Sequence, residues 1–262
     1  MPNSPSPRTV PDLHQIIAFA DRLLDAGAIA DYCPNGLQVE GLSTVTGLTC
    51  GVSACMPLFE RALEDKSELI LVHHGLFWDG ESRVVRGSLK KRLKFLLDHG
   101  ISLAGYHLPL DRHPEVGNNA QLFLKLGLVD RRDFGRYKGQ TISCMGKLPE
   151  PLPFDAFLAR VNRVLGVDQS FHLPFGPGLV RTVALCSGGA PDLVREAIAV
   201  GADVFLTGEV SEYVYHLARE EGIHYIGAGH HATERFGVMA LGEKIAAEFG
   251  VRCQFVDIPN PI

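Results

Sequence analysis

The stretch Leu69-Ile70-Leu71-Val72-His73-His74-Gly75 decides the fold. Its first four residues form a continuous aliphatic run of strand length with no polar face. That pattern suits a strand buried on both sides, as parallel sheets require. Helical patterns flank it. Upstream, residues 58–65 are apolar at helical spacing, with Pro57 at the first position; downstream, Ser88 is placed to cap a helix that runs through Leu97 and stops near Gly100. The next strands outward are 46–52 and 101–106, and Pro11 opens a helix ending at Gly27. Strand and helix in this alternation make βαβ units.

Past a helix opened by Gly117-Asn118-Asn119, the composition shifts. Residues 130–138 are charged and poor in apolar side chains, 140–146 read as an isolated strand and 155–165 as a helix, with five prolines punctuating the stretch from Pro149 to Pro177. Alternation then resumes, with strands at 181–186, 204–206, 223–227 and 251–256 and helices at 192–200, 211–220 and 233–249. The run Val52-Ser53-Ala54-Cys55-Met56-Pro57 has a counterpart in Cys186-Ser187-Gly188-Gly189-Ala190-Pro191, each followed by helix and strand. The expectation is an α/β fold of three layers with mostly parallel sheets, built from two related βαβ halves. Residues 1–129 and 179–262 are the halves, and 130–178 form a small inserted lobe.

The chain has 262 residues, 46% hydrophobic and 21% charged, enough for a sizeable core and too apolar for disorder. Its net charge of −5 argues against a nucleic-acid binder. The stretch Lys90-Lys91-Arg92 with Lys94 reads as one solvated helix face. No segment reaches the roughly 18 uninterrupted apolar residues of a membrane helix. The Pro/Ser-rich start lacks the apolar region of a secretion signal and reads as a short disordered lead. The six cysteines form no C-x-x-C, and several sit in strand-like runs, which fits reduced thiols and a cytoplasmic protein.

Metal-capable residues collect at expected strand exits, where open parallel sheets bind ligands. They are His73 and His74; His107 and Asp111; and His230, His231 and Glu234. His230 and Glu234 are four apart at a helix start, which puts both on one face; His231 and Glu234 are three apart. Adjacent histidines on a regular strand face opposite ways, so the chain is expected to turn at the strand end before Gly75. Neutral nitrogens and carboxylates without thiolate suit Zn, Fe, Mn or Ni. Asp111 could bridge two ions with its two oxygens. Gly188-Gly189 could cradle an anion or simply make a tight turn. His14, His99, His113, His172 and His224 read as ordinary histidines.

The segments Asp31-Tyr32-Cys33-Pro34-Asn35-Gly36-Leu37-Gln38-Val39-Glu40-Gly41, His73-His74-Gly75-Leu76-Phe77-Trp78, Tyr106-His107-Leu108-Pro109-Leu110-Asp111 and Gly229-His230-His231-Ala232-Thr233-Glu234-Arg235 resemble, in that order, the motifs of the Nif-three-like dinuclear-metal family. Its members are often labelled GTP cyclohydrolase I type 2 homologues. The resemblance runs from about residue 12 to 258, and the large central insertion of some longer relatives is missing. It implies metal ligands at His73, His74, Asp111, His230 and Glu234, and it omits His231, where the family varies. It also implies two divalent ions per subunit and a toroidal homohexamer.

The function expected is a metal-dependent hydrolase in which the ions activate water toward a nucleotide-like or phosphorylated small molecule. His107 is the candidate acid/base, and Glu209 and His216 are candidates for orienting ligands. The alternative is a non-catalytic metal-binding regulatory or scaffold hexamer that presents a surface to partner proteins. Trp78, four residues after His74, would report metal loading by fluorescence.

Overall fold

The computed structural model describes residues 10–262, and the Pro/Ser-rich lead lies outside them. Along the chain run α1 (Leu13–Leu24), β1 (Gly36–Val39), β2 (Gly47–Ser53), α2 (Met56–Glu64), β3 (Leu69–His74), α3 (Gly87–His99), β4 (Ser102–Gly105), α4 (Leu108–Arg112) and α5 (Asn118–Lys125). Then come β5 (Val129–Tyr137), β6 (Gln140–Pro153), α6 (Phe154–Leu165), β7 (Phe171–Pro174), β8 (Leu179–Leu185) and a short helical turn Pro191–Leu193. The remaining elements are α7 (Val194–Ala199), β9 (Val204–Thr207), α8 (Val214–Glu221), β10 (His224–Gly227), α9 (His230–Thr233), α10 (Arg235–Phe249) and β11 (Arg252–Phe255).

The elements form two compact units. The first comprises the described part of Met1–Gly27, with Tyr32–Tyr106 and Gly242–Val256; the second comprises Ala28–Asp31, His107–Leu241 and Asp257–Ile262. The first unit holds a five-stranded sheet of order β1-β4-β3-β2-β11. All its pairs are parallel except β1 with β4. Both faces are covered, and β2 shows how. A Cβ on Gly51 would strike Leu58 of α2, whereas Cys50 on the opposite face meets Gly242 of α10. Adjacent strand residues point to opposite faces, so helices lie on both sides. α1 starts where Asp12 accepts a hydrogen bond from the His14 amide at 2.9 Å. It buries Leu13, Ile16, Ile17, Ala20 and Leu24. Ser88 is not the cap of α3: Arg86 occupies that position, with no side-chain cap bond, while Gly100 ends the helix at φ +64° as expected.

The second unit holds a six-stranded sheet of order β5-β6-β8-β9-β10-β7. Alternation along its strands builds two cores. Val183, Leu185, Val204, Leu206 and Ile226 face one side with Phe157 and Val161 of α6. Ala184, Phe205 and Tyr225 face the other with Val194, Ala197, Val214 and Ala218 of α7 and α8. Three layers result, but this sheet is not mostly parallel. Only β8-β9 and β9-β10 are parallel; β5, β6 and β7 join antiparallel. The stretch expected as an inserted lobe supplies those three strands to the same sheet as β8–β10. The charged run 130–138 is itself β5, an edge strand whose side chains are mostly exposed, which is why it carries no apolar alternation. β6 is not isolated, since it pairs with β5 and β8. The short strands β1 and β7 escaped the sequence pattern.

The expected helix 233–249 is present as α10, but it starts two residues later and is separated from a preceding short helix. α9 ends at Thr233, Glu234 takes φ −112° and ψ 10°, and α10 begins at Arg235. Among the described residues no helix is long and apolar enough to cross a membrane.

Candidate metal centre

In the first unit the two histidines are the last two residues of β3, not a turn beyond it. Their ring centroids lie 4.6 Å apart with a 44° tilt, and a nitrogen of each lies within 4.8 Å of the other's. His73 is fully buried, and its Nδ1–H donates to the Tyr106 carbonyl at 2.8 Å. His74 Nδ1 is hydrogen-bonded to the Ser53 hydroxyl at 3.1 Å. With Nδ1 engaged, Nε2 would be the nitrogen of each ring that coordinates a metal. The loop after β3 is fixed by Gln38, which accepts from the Leu76 amide at 2.8 Å and donates to the Pro34 carbonyl at 2.9 Å. Gly75 packs directly against the Gln38 amide, so a Cβ there would push that side chain out of place. The Trp78 ring stands 5.9 Å from His74.

In the second unit Asp111 is buried on α4. Its Oδ1 accepts from Asn118 at 2.9 Å and from the Ser187 hydroxyl at 3.1 Å. Asn119 extends this network to the Asp111 carbonyl and the Ser187 amide. One Asp111 oxygen lies within 4.8 Å of a Glu234 oxygen. Glu234 in turn lies 3.0 Å from His230 Nε2, the expected i, i+4 pair, although the helix expected to hold it stops one residue short. Gly188 makes the approach possible. It sits at φ +67°, and a Cβ there would fall 2.0 Å from Glu234 Oε1 and 3.2 Å from His230 Nε2. The chain's own carboxylates face Gly188-Gly189, with Glu234 against Gly188 and Glu209 3.2 Å from a Cβ on Gly189.

His230 Nδ1–H donates to Glu209 Oε1 at 2.6 Å. Burial pushes the imidazole pKa down, but Glu234 and Glu209 outweigh it and raise the value to about 9. The ring is therefore doubly protonated near neutral pH, and its Nε2 proton occupies the position a metal would take. Burial, reinforced by Asp111, pushes the Cys186 thiol well above the ordinary range.

The candidate acid/base His107 is buried in the second unit, where its Nδ1–H donates to Asp31 at 2.9 Å. The other Asp31 oxygen accepts the Leu108 amide at 3.0 Å. Sequence reasoning misses Asp31 as a partner, since its place in the chain lies far from His107. It misses Asn118 and Ser187 for the same reason; the one local signal is a pair of adjacent asparagines opening a helix, both buried. His231 faces away toward Asp257, 2.7 Å distant, which Arg235 also contacts at 2.7 Å. His216 is exposed on α8 with its ring edge-on to Tyr215, and it does not join the carboxylates. Glu209 does.

The donor set fits a divalent ion. It offers imidazole nitrogens and carboxylate oxygens, one histidine is braced by a second carboxylate, and a glycine cradle admits the ligating oxygen. A family model described as Duf34/NIF3 (NGG1p interacting factor 3) matches residues 11–261. A Pseudomonas aeruginosa protein named GTP cyclohydrolase 1 type 2 homolog is 47% identical over 249 residues, 95% of this chain and 98% of the relative. An Escherichia coli K12 protein of the same name is 43% identical over 250 residues, 95% and 98% of the two chains. Among solved structures, TTHA1606 from Thermus thermophilus superposes with a TM-score of 0.88 at 36% identity, covering 96% of this chain and all of the other.

Proposed function

The chain belongs to the Duf34/NIF3 family, and from that membership we propose that it is a metal-dependent hydrolase of nucleotide-like or phosphorylated small molecules. Two divalent ions per subunit would be held by His73, His74, Asp111, His230 and Glu234. The observation that carries the proposal is His230 set between Glu209 and Glu234, at 2.6 and 3.0 Å. A carboxylate behind a histidine is how ligating imidazoles are oriented and made more basic. Divalent ions, when bound, supply Lewis acidity and a hydroxide nucleophile near neutral pH.

The chain's own groups do the rest. Asn118 and Ser187 hold the Asp111 carboxylate in one orientation. Glu209 keeps the Nδ1 proton of His230, so its Nε2 is the nitrogen that binds. Asp31 keeps the Nδ1 proton of His107, so Nε2 of that ring accepts a proton from the attacking water and returns it to the leaving group. The relatives' name supports a nucleotide-like substrate. A toroidal homohexamer and a cytoplasmic location belong to the same proposal, and light scattering gives the subunit number.

The test is turnover by metal-loaded protein on a panel of nucleotides, beside the His74→Ala/Glu234→Ala variant. Activity that needs the metal and vanishes in the variant is expected. Undiminished turnover in the variant sinks the proposal. Metal uptake without turnover on any substrate favours the non-catalytic scaffold instead.

A further inference from the structure

Beside the second unit's carboxylates lies a cavity of about 500 Å³, lined entirely by that unit at the exits of β9 and β10. Its walls include Phe171, Val210, Ala228 and Pro261, with Gln169 and Glu209 among its polar groups. Glu209 is the one charged side chain of the lining, which among the described residues holds no Lys, Arg or His. The same carboxylate reaches His230 at 2.6 Å, so the cavity adjoins the metal ligands through one residue.

Phe171 stands on the edge strand β7 and is 48% exposed. Its cross-strand partner is Gly227. A Cβ on that glycine would lie 3.7 Å from Phe171 Cδ1, so the missing side chain leaves the ring uncovered. A bare aromatic face is a stacking platform for any planar ring. A lining without Lys, Arg or His offers phosphate no cation, and the Glu209 carboxylate, held to His230 through Oε1, accepts hydrogen bonds from N–H groups. The volume is in the range of sites for small organic ligands.

We infer that this cavity seats a planar heterocycle of purine or pteridine size, stacked on Phe171 with a hydrogen-bond-donating edge turned to Glu209. The inference rests on the proposed hydrolase function and assigns the ring end of its substrate. Phosphoryl groups lie outside the cavity, on the side of the metal ligands. The ring's donor edge is then joined through Glu209 to His230, which couples occupancy of the cavity to the orientation of a metal ligand.

The experiment is calorimetric titration of the full chain with guanosine, which has adjacent ring N–H and amino donors, with and without Mn²⁺. Metal content is measured on the same samples. Guanosine is expected to bind both forms, and Phe171→Ala is expected to weaken it about tenfold or more. Val210→Trp, which fills the cavity from another wall, is expected to abolish binding while the metal content stays normal. Inorganic triphosphate is expected not to displace guanosine. Absence of guanosine binding by folded wild-type protein overturns the inference, as do binding indifferent to both variants and displacement by triphosphate. If such a failure comes with normal metal uptake and metal-dependent turnover, the hydrolase proposal survives it. Guanosine binding that depends on Phe171, in protein that takes up no metal, leaves the cavity standing and removes the hydrolase.

Discussion

The two units carry donor sets of opposite character. In the first, two histidines end a buried strand, braced by a backbone carbonyl and a serine hydroxyl. In the second, one imidazole is held between two carboxylates, Glu209 and Glu234, and Asp111 is close to Glu234. The strand set is anchored by β3, which pairs with β2 from Leu69 to His74 and with β4 from Leu69 to Val72. The carboxylate set is held by side chains from several segments, and near neutral pH its charge is partly balanced by the extra proton on His230. The contrast teaches a division of labour. In the proposed metal site the carboxylates would supply the attraction for a cation, and the strand histidines would supply fixed geometry.

Substitutions that break this contrast should rank accordingly. Glu234→Gln keeps the shape but removes a ligating charge, so metal affinity should fall by more than about 100-fold, beyond what loss of an outer partner does. Chelator competition followed by elemental analysis measures it. Gly188→Ala attacks the same set sterically. Its strained backbone and its clash with Glu234 should together cost about 2 kcal/mol or more, lowering the thermal midpoint and the metal content together. Glu209→Gln leaves every ligand in place, and a loss of about 10–100-fold in affinity is expected, typical of an outer partner.

The pH dependence sharpens the contrast further. His230 is raised from 6.5 to about 9. Its contribution to the stability of metal-free protein is therefore complete below pH 6.5 and is lost as pH rises through about 9. Metal binding displaces the Nε2 proton, so affinity should climb by up to about tenfold per pH unit across that window and level off above it. Proton release on titration with Mn²⁺ in two buffers checks this, and Glu209→Gln should move the plateau to lower pH. The smallest effect is expected in the strand set. Ser53→Ala removes one hydrogen bond from His74, about 1 kcal/mol, and should weaken metal by a few-fold with an unchanged pH slope. Trp78, 5.9 Å from His74, gives a fluorescence readout for that variant.

The strand set and the carboxylate set are not equally legible in the sequence. His73-His74 stands out because an aliphatic run marks the strand and the histidines interrupt it. The His230–Glu234 pair is legible by its spacing, yet the reason it works is not helical periodicity. The helix stops at Thr233, and Gly188, far away in sequence, admits the carboxylate. Long-range partners such as Asp31 for His107 and Ser187 for Asp111 leave no local pattern, because a side-chain hydrogen bond imposes no period on its neighbours. β5 is illegible for a different reason. An edge strand with one row of backbone groups toward solvent can be built from Asp130, Arg131, Arg132 and Asp133, and charge on an edge also discourages unwanted pairing.

The order of strands in the first sheet has a consequence for how the chain is made. β2 lies between β3 and β11, so its second neighbour is made only after all the strands of the second unit. The strands of the second unit's sheet all lie between Val129 and Gly227, so none of them waits for a strand made after β10. At synthesis rates of about 5–20 residues per second, β2 waits roughly 10–40 s with one edge open. It is an almost wholly buried strand in the finished fold, so during that interval it is an apolar template for a neighbouring nascent chain. A chain that stops before Arg252 never leaves that interval, and its fate is set by association with other chains rather than by the loss of four residues.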